Sequence, residues 1–258
     1  VGHVLSFMQQ LHSTPSPAPP SFVLIACEEY KPNKWKYLID DKTGRHWVKQ
    51  RKFKSSLFPD LEAFGNNCYS YELHDLNVVI GETDRMIREE LEAEIPIYLL
   101  GHSRGGGVGV IAASGNPKVS KVVSLAGICD IEMRFPEGDE LEEWRNAEVK
   151  YVLNGRTNQQ MPHYFSFYED FDRNRELLNI ERAATNLSCP FLQVHGDMDV
   201  SVSISEGIRL ARWTDTELKI IKGAEHTFGT CHPWEEGELP EEMIEVNEHI
   251  ISFFEAQF

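Results

Sequence analysis

The sequence lacks several features that would point to particular classes of protein. Its five cysteines include no C-x-x-C pair, which argues against a zinc finger or a disulfide scaffold and suits reduced thiols in a cytosol. No apolar run approaches the roughly 20 residues that a membrane-spanning helix needs. Residues 1–10 lack the basic and then apolar pattern of a secretion signal. We therefore expect a soluble, cytoplasmic protein with no membrane partner.

Positive charge is also scarce. The chain of 258 residues has 25 Lys and Arg against 41 Asp and Glu, a formal charge of −16 at pH 7. Such a surface repels the phosphates of nucleic acids and of anionic lipids, so we expect a small-molecule substrate and no nucleic-acid partner. The exception is the segment 31–58, which has nine Lys and Arg against two Asp. This excess of positive charge predicts an atypical basic region over about 28–58.

Short apolar runs alternate with stretches of helical spacing. Buried strands are predicted at 22–27, 97–100, 119–125 and 190–194, with a weaker one at 218–221. Helices are predicted at 71–91, 108–113, 205–213 and 241–258. This alternation predicts a single α/β domain, 1–258, in which helices cover both faces of a mostly parallel sheet.

The pentapeptide Gly101-His-Ser-Arg-Gly105 matches the pattern G-x-S-x-G between a predicted strand and a predicted helix. On that tight turn the serine has strained backbone angles, and the two glycines relieve crowding where strand and helix pass closely. The start of the helix also favours developing negative charge. Ser103 is therefore predicted to be a nucleophile.

A serine hydroxyl is too weak an acid to attack alone, so it needs a histidine base and a carboxylate to orient that base. In this arrangement the order along the chain is serine, acid, histidine. Asp197 and Asp199 both follow the strand at 190–194, and we favour Asp199 because the usual H-G-x-x-D spacing selects it. His226 follows the strand at 218–221 in a loop of small residues, with His232 as the nearest rival.

A competing interpretation concerns the run Gly107-Val-Gly-Val-Ile-Ala112, which formally matches the dinucleotide fingerprint G-x-G-x-x-A. It begins several residues too late after its strand. No acidic residue ends a following strand about 20 residues on, as that fingerprint requires. We therefore expect no dinucleotide site there.

Three motifs together resemble those of α/β-hydrolases in the dienelactone hydrolase and prolyl-oligopeptidase-like esterase group. They are Gly101-His-Ser-Arg-Gly-Gly106, His195-Gly-Asp-Met-Asp199 and Gly223-Ala-Glu-His-Thr-Phe228. The resemblance covers about 61–258, and Leu141-Glu-Glu-Trp144 is similar to a motif of a bacterial subgroup. It implies an α/β-hydrolase fold with a small cap-like insertion at about 130–184, the catalytic residues Ser103, Asp199 and His226, no metal and no organic cofactor.

The resemblance also implies an oxyanion hole formed by two backbone N–H groups, those of Arg104 and Tyr30. Relatives have His-Gly where this chain has Glu28-Glu29. Glutamate resists backbone angles that glycine permits, and carboxylates oppose a developing oxyanion. The resemblance predicts a serine hydrolase for a small ester, thioester or lactone. Glu28-Glu29 motivates the alternative, a weakened or inactive hydrolase-like binding protein.

The segment 130–184 breaks the alternating pattern and is rich in aromatic and charged residues. Its aromatic side chains are predicted either to roof the site and favour an apolar or aromatic acyl group, or to form a small core of their own. Its arginines are candidates for binding a substrate carboxylate. They are Arg134, Arg145, Arg156 and Arg173.

Overall fold

Strands and helices alternate along most of the chain. The computed structural model describes residues 60–90, 94–154, 158–231 and 238–256, and before them the backbone of three strands. The strands are β1 (Val23–Cys27), β2 (Trp35–Asp40), β3 (Arg45–Gln50), β4 (Ile97–His102), β5 (Val119–Leu125), β6 (Val149–Asn154), β7 (Gln159–Tyr164), β8 (Phe191–Gly196) and β9 (Leu218–Ile221). The helices are α1 (Leu61–Gly65), α2 (Tyr69–Glu90), α3 (Arg104–Gly115), α4 (Gly138–Ala147), α5 (Ser166–Arg173), α6 (Ile180–Thr185), α7 (Ile204–Trp213) and α8 (Glu241–Glu255).

Five of the strands form one parallel sheet in the order β1-β4-β5-β8-β9. Parallel neighbours need a crossover connection, and α3 joins β4 to β5 while α7 joins β8 to β9. The prediction of a mostly parallel sheet from the five apolar runs is confirmed. Because the five strands are parallel, their carboxyl ends lie at the same edge of the sheet.

Both faces of the sheet are covered by apolar side chains. Along β4, Ile97 and Leu99 pack into a core that includes residues of α2, α3 and α7. The alternate residues Tyr98 and Leu100 pack into a second core with α8. A strand buried on both faces needs apolar residues at successive positions, and this explains why β4 reads as a continuous apolar run. Within the described residues, no helix is long and apolar enough to cross a membrane.

Two antiparallel hairpins, β2-β3 and β6-β7, form separate two-stranded sheets. Sequence patterns predicted neither of them. β6 is at least partly exposed along its whole length, so its residues lack the alternation of apolar and polar side chains that marks a half-buried strand. β2 and β3 lie inside the basic region 28–58, whose remaining residues are outside the described part of the chain.

The aromatic residues of 130–184 pack against one another. Phe135 is the centre of this cluster, with five aromatic rings whose centroids lie between 5.1 and 6.3 Å from its own. One of these rings belongs to Tyr69 in α2. Phe135, Trp144 and Phe171 are buried and continuous with the core on the α3 face. The packing therefore favours a core role for these rings over a roof that contacts an acyl group.

A buried lysine closes the end of the last helix. Lys121 of β5 donates hydrogen bonds from Nζ to three backbone carbonyls, those of Phe253 (3.1 Å), Phe254 (2.9 Å) and Ala256 (2.7 Å). Carbonyl groups in the last turn of a helix have no partner within the helix, so they accept hydrogen bonds from outside it. Lys121 therefore joins α8 to the sheet.

Replacing Lys121 with methionine should leave these carbonyls without their donor at a buried position. We expect Lys121→Met to lower the free energy of unfolding by about 2 kcal/mol, the usual scale for losing charge-assisted hydrogen bonds. Urea denaturation measures this loss. Lys118→Met is the matched control, because the exposed Lys118 makes a surface ion pair with Asp84 and should change stability by less than about 1 kcal/mol. Equal losses in the two variants would contradict the assigned role.

Candidate active site

Ser103 occupies a strained turn between β4 and α3. Its φ of 56° and ψ of −121° are unfavourable for a residue with a side chain. The backbone on both sides holds this conformation. The N–H of Ser103 donates to the carbonyl of Leu125 (2.9 Å), and its carbonyl accepts from Gly106 (3.0 Å) and Ile128 (3.2 Å). The neighbouring strand β5 and the segment after it thereby keep the serine at the carboxyl edge of the sheet.

Two glycines allow strand and helix to meet at this turn. A Cβ atom on Gly101 would lie 2.2 Å from the carbonyl oxygen of Gly105. A Cβ atom on Gly106 would lie 2.5 Å from Ser124 Oγ and 2.9 Å from the Cα of Gly127. Neither position has room for a side chain. The first glycine of the motif, Gly101, is therefore required by the close approach of two backbones, and so is Gly106, one position beyond its second glycine.

Asp199 and His226 are directly hydrogen bonded. His226 Nδ1 donates to Asp199 Oδ2 at 2.7 Å. The other carboxylate oxygen accepts from the backbone N–H groups of Ser201 (2.8 Å) and Val202 (2.9 Å). Since the carboxylate only accepts, the proton of the neutral imidazole is on Nδ1, and Nε2 keeps its lone pair. The arrangement suits a histidine that takes up a proton at Nε2.

The rival carboxylate has a different partner. Asp197 is exposed, and its Oδ1 accepts from the backbone N–H of Gly223 at 2.6 Å. Asp199 rather than Asp197 is therefore the acid in contact with His226. The rival base His232 lies outside the described residues. So do Glu28, Glu29 and Tyr30, and the role of Tyr30 as an oxyanion donor stays a prediction.

Two further histidines flank the pair. His102 donates from Nε2 to the backbone carbonyl of His226 at 2.8 Å, and the two ring centroids lie 4.6 Å apart. Burial, reinforced by repulsion from His226, lowers the pKa of His102 to about 4. His195 donates from Nε2 to the carbonyl of Val202 (2.9 Å) and lies 3.4 Å from Asp199 Oδ2, and burial lowers its pKa. Both rings are neutral near pH 7.

Sequence reasoning gave neither histidine a role of its own. Each lies in a motif whose predicted role belongs to another residue. His102 directly precedes Ser103, and His195 precedes Asp197 and Asp199. Their place in those motifs is the signal that could have marked them.

His226 contacts His102, the residue that precedes Ser103 in the chain. Among the residues that it describes, no hydrogen bond joins Ser103 Oγ to His226 Nε2. Such a contact often tightens only when substrate binds. Asp199, His226 and His102 thus form a hydrogen-bonded group, and Ser103 adjoins it through the peptide bond to His102.

Arg104 is the first residue of α3, so its backbone N–H lies at the N-terminal end of the helix. Its side chain extends to α2, where Nη2 lies 3.1 Å from Glu72 Oε1 and the guanidinium lies 5.6 Å from the ring centroid of Tyr69. Burial raises the pKa of Tyr69 to about 12. The positive end of the helix dipole is left next to Ser103, and it favours an anion.

The candidate carboxylate-binding arginines that the structure describes contact protein groups. Arg134 is paired with the buried Glu206, whose second oxygen accepts from the backbone N–H of Cys129 at 3.0 Å. Arg145 is paired with Glu142 (2.9 Å). Arg173 donates from Nε to the carbonyl of Glu169 (3.1 Å), and Arg156 lies outside the described residues.

The glycine-rich run 107–112 lies inside α3, and all of its residues are buried. Its glycines therefore form the interior of a helix, and no loop is available there to hold a dinucleotide. Within the described residues, no group of three or more His, Cys, Asp or Glu side chains could hold a metal ion.

Comparison with solved structures identifies the architecture. A provisionally named hydrolase from Agrobacterium vitis S4 superposes with a TM-score of 0.62 and 14% identity, covering 92% of this chain and 91% of that one. Est1E from Butyrivibrio proteoclasticus, solved with ferulic acid bound, gives 0.55 and 18%, covering 74% and 69%. The chain has the α/β-hydrolase fold. No family model matches the sequence, and no curated protein is similar enough to match it.

The α/β-hydrolase fold gives the three predicted residues a common setting. In this fold a nucleophile, an acid and a base follow one another in that order along the chain, in loops at the carboxyl edge of the sheet. Ser103 follows β4, Asp199 follows β8 and His226 follows β9. The catalytic roles of these three residues stay a prediction.

The lowered pKa of His102 should make the protein less stable in acid. Its pKa is about 4 in the folded chain against an ordinary 6.5, so below pH 6.5 the unfolded chain binds a proton that the folded chain does not. The free energy of unfolding should therefore fall between pH 6.5 and 4, by up to about 3 kcal/mol from this group. His195 acts in the same direction.

Urea denaturation at several pH values from 7 to 4.5 measures this effect. His102→Gln removes the titrating group and should show a smaller decrease in stability with acid than the wild type. Identical pH dependence in the two proteins would contradict a neutral His102.

Proposed function

We propose that the protein is a serine hydrolase that cleaves carboxylic esters of small molecules by way of an acyl-enzyme on Ser103. The observation that carries the proposal is the 2.7 Å hydrogen bond from His226 Nδ1 to Asp199 Oδ2, beside a turn that holds Ser103 at a φ of 56°. The α/β-hydrolase fold and its hydrolase neighbour support the proposal. Thioesters and lactones would react by the same steps.

In the proposed reaction, His226 Nε2 takes the proton from Ser103 Oγ as this oxygen attacks the carbonyl carbon of the ester. Asp199 stabilises the imidazolium that forms, and its two backbone N–H donors hold it in place. The backbone N–H of Arg104 donates to the oxyanion, together with the predicted donor Tyr30. His226 then protonates the leaving alcohol.

Hydrolysis of the acyl-enzyme uses the same residues, with water in place of Ser103 as the attacking group and Ser103 as the leaving group. His226 removes a proton from a water molecule that attacks the acyl carbon, and it returns the proton to Ser103 Oγ. These steps require neither a metal nor an organic cofactor. The charge of −16 favours substrates without several negative charges.

Labelling with a fluorophosphonate, which reacts with activated serine nucleophiles, tests the proposal directly. The wild type should be labelled at Ser103, and Ser103→Ala should abolish the labelling. A panel of p-nitrophenyl esters of graded chain length, with a feruloyl ester added because Est1E was solved with ferulic acid, then defines the acyl group. A well-folded wild type without labelling would instead support the alternative, an inactive hydrolase-like binding protein.

Substitution of the proposed acid should separate it from its rival. Asp199→Asn should lower kcat on p-nitrophenyl esters by about 10⁴-fold, because an amide at this position favours the wrong tautomer of the histidine. Asp197→Asn is the matched control, since Asp197 contacts the backbone of Gly223 and not His226. We expect the control to stay within a few-fold of the wild type. Similar losses in both variants would contradict the assignment of Asp199.

A further inference from the structure

His102, the residue before the nucleophile, makes a hydrogen bond that the proposed reaction does not use. We propose that His102 is a positioning residue for the base: its ring N–H holds the backbone carbonyl of His226 and so keeps the imidazole of His226 beside Ser103. The inference rests on the proposed function, and it adds a residue that acts through His226 without touching substrate.

The hydrogen bond joins two distant parts of the fold. His102 is the last residue of β4, and His226 lies 124 positions later in the loop after β9. β5 and β8 lie between these strands in the sheet. The bond from His102 Nε2 to the carbonyl oxygen of His226 is 2.8 Å long and partly buried, with the rings in contact at 4.6 Å. The turn that contains Ser103 is therefore directly connected to the loop that contains His226, residues 222–229, which we call the base loop.

The base loop has a conformation that needs such anchors. Phe228 has a positive φ of 53°, which is unfavourable for a residue with a side chain, whereas Gly223 (76°) and Gly229 (75°) adopt such angles without strain. The strained angle of Phe228 persists only when surrounding contacts hold it. Its bonds from Met198 N–H to Ala224 and from His226 to Asp199 tie it to the segment after β8. The bond from His102 ties it to the nucleophile strand.

The neutral state of His102 suits this role. Since the carbonyl of His226 only accepts, the ring proton of His102 is on Nε2, and the bond has a defined direction. Burial keeps the ring uncharged near pH 7. When His226 becomes an imidazolium during the reaction, His102 thus adds no second positive charge 4.6 Å away.

Two amide substitutions distinguish positioning from simple packing. The amide nitrogen of glutamine is as many bonds from Cα as Nε2 of histidine, so His102→Gln can still donate to the carbonyl of His226. The amide of asparagine is one bond shorter, so His102→Asn cannot reach that carbonyl from the same backbone. Both variants change the same partly buried position and have the same functional group.

The measurements are the rate of fluorophosphonate labelling of Ser103, kcat and KM on a p-nitrophenyl ester, and the thermal midpoint. We expect His102→Gln to react within about threefold of the wild type. His102→Asn should lose about 10- to 100-fold in labelling rate and in kcat with little change in KM, the scale for a base displaced by about 1 Å. A loss in kcat that remains at temperatures where His102→Asn is fully folded supports positioning.

Three outcomes would overturn the inference. They are equal losses in the glutamine and asparagine variants, wild-type rates in both, and a loss in His102→Asn that follows only its folded fraction. Its failure is distinguishable from failure of the proposed function. If the wild type is labelled at Ser103 and the asparagine variant reacts equally fast, only the role of His102 is wrong. An unlabelled, folded wild type overturns both.

Discussion

The close approach of two backbones at the end of β4 is the constraint on which the candidate site depends. Gly101 and Gly106 leave no room for a Cβ atom, so α3 can begin directly against the strand. The chain makes this turn in one residue, and Ser103 takes the strained angles that result. Bonds to Leu125 and Ile128 balance the strain with contacts from the neighbouring strand and the segment after it. A strained residue is thus held by the most buried part of the fold.

Around this turn, the hydrogen bonds of three polar side chains order the loops. Asp199 accepts from His226 and from two backbone N–H groups, while His102 and His195 each donate to a backbone carbonyl. Burying such groups without partners would destabilise the protein, so each bond restricts the loop that supplies its partner. The same bonds that satisfy the buried groups hold the proposed base in one orientation. Stability and the proposed chemistry therefore depend on a common set of contacts.

Much of the fold was predictable because strands buried on both faces need apolar residues at every position. β4, β5 and β8 read as apolar runs, and their order with the helices indicated a parallel sheet. The hairpin β6-β7 was missed because β6 is partly exposed throughout and has no alternation. The aromatic residues of 130–184 were recognised as a group, but their sequence left open whether they faced a substrate or one another. Packing around Phe135 favours the second role.

The sequence by itself determined the five strands of the parallel sheet, their alternation with helices and the strained serine turn, because these depend on local spacing and on glycine. It also supplied candidate acids and bases in the right order along the chain. Only the tertiary structure showed that Asp199, which the sequence already favoured over Asp197, contacts His226, and only it revealed the bond of His102 to His226. Those contacts join residues 27 and 124 positions apart, and their geometry arises where the ends of separate strands meet. The local H-G-x-x-D spacing favoured Asp199, but a contact between side chains at the ends of separate strands can be seen only in the tertiary structure.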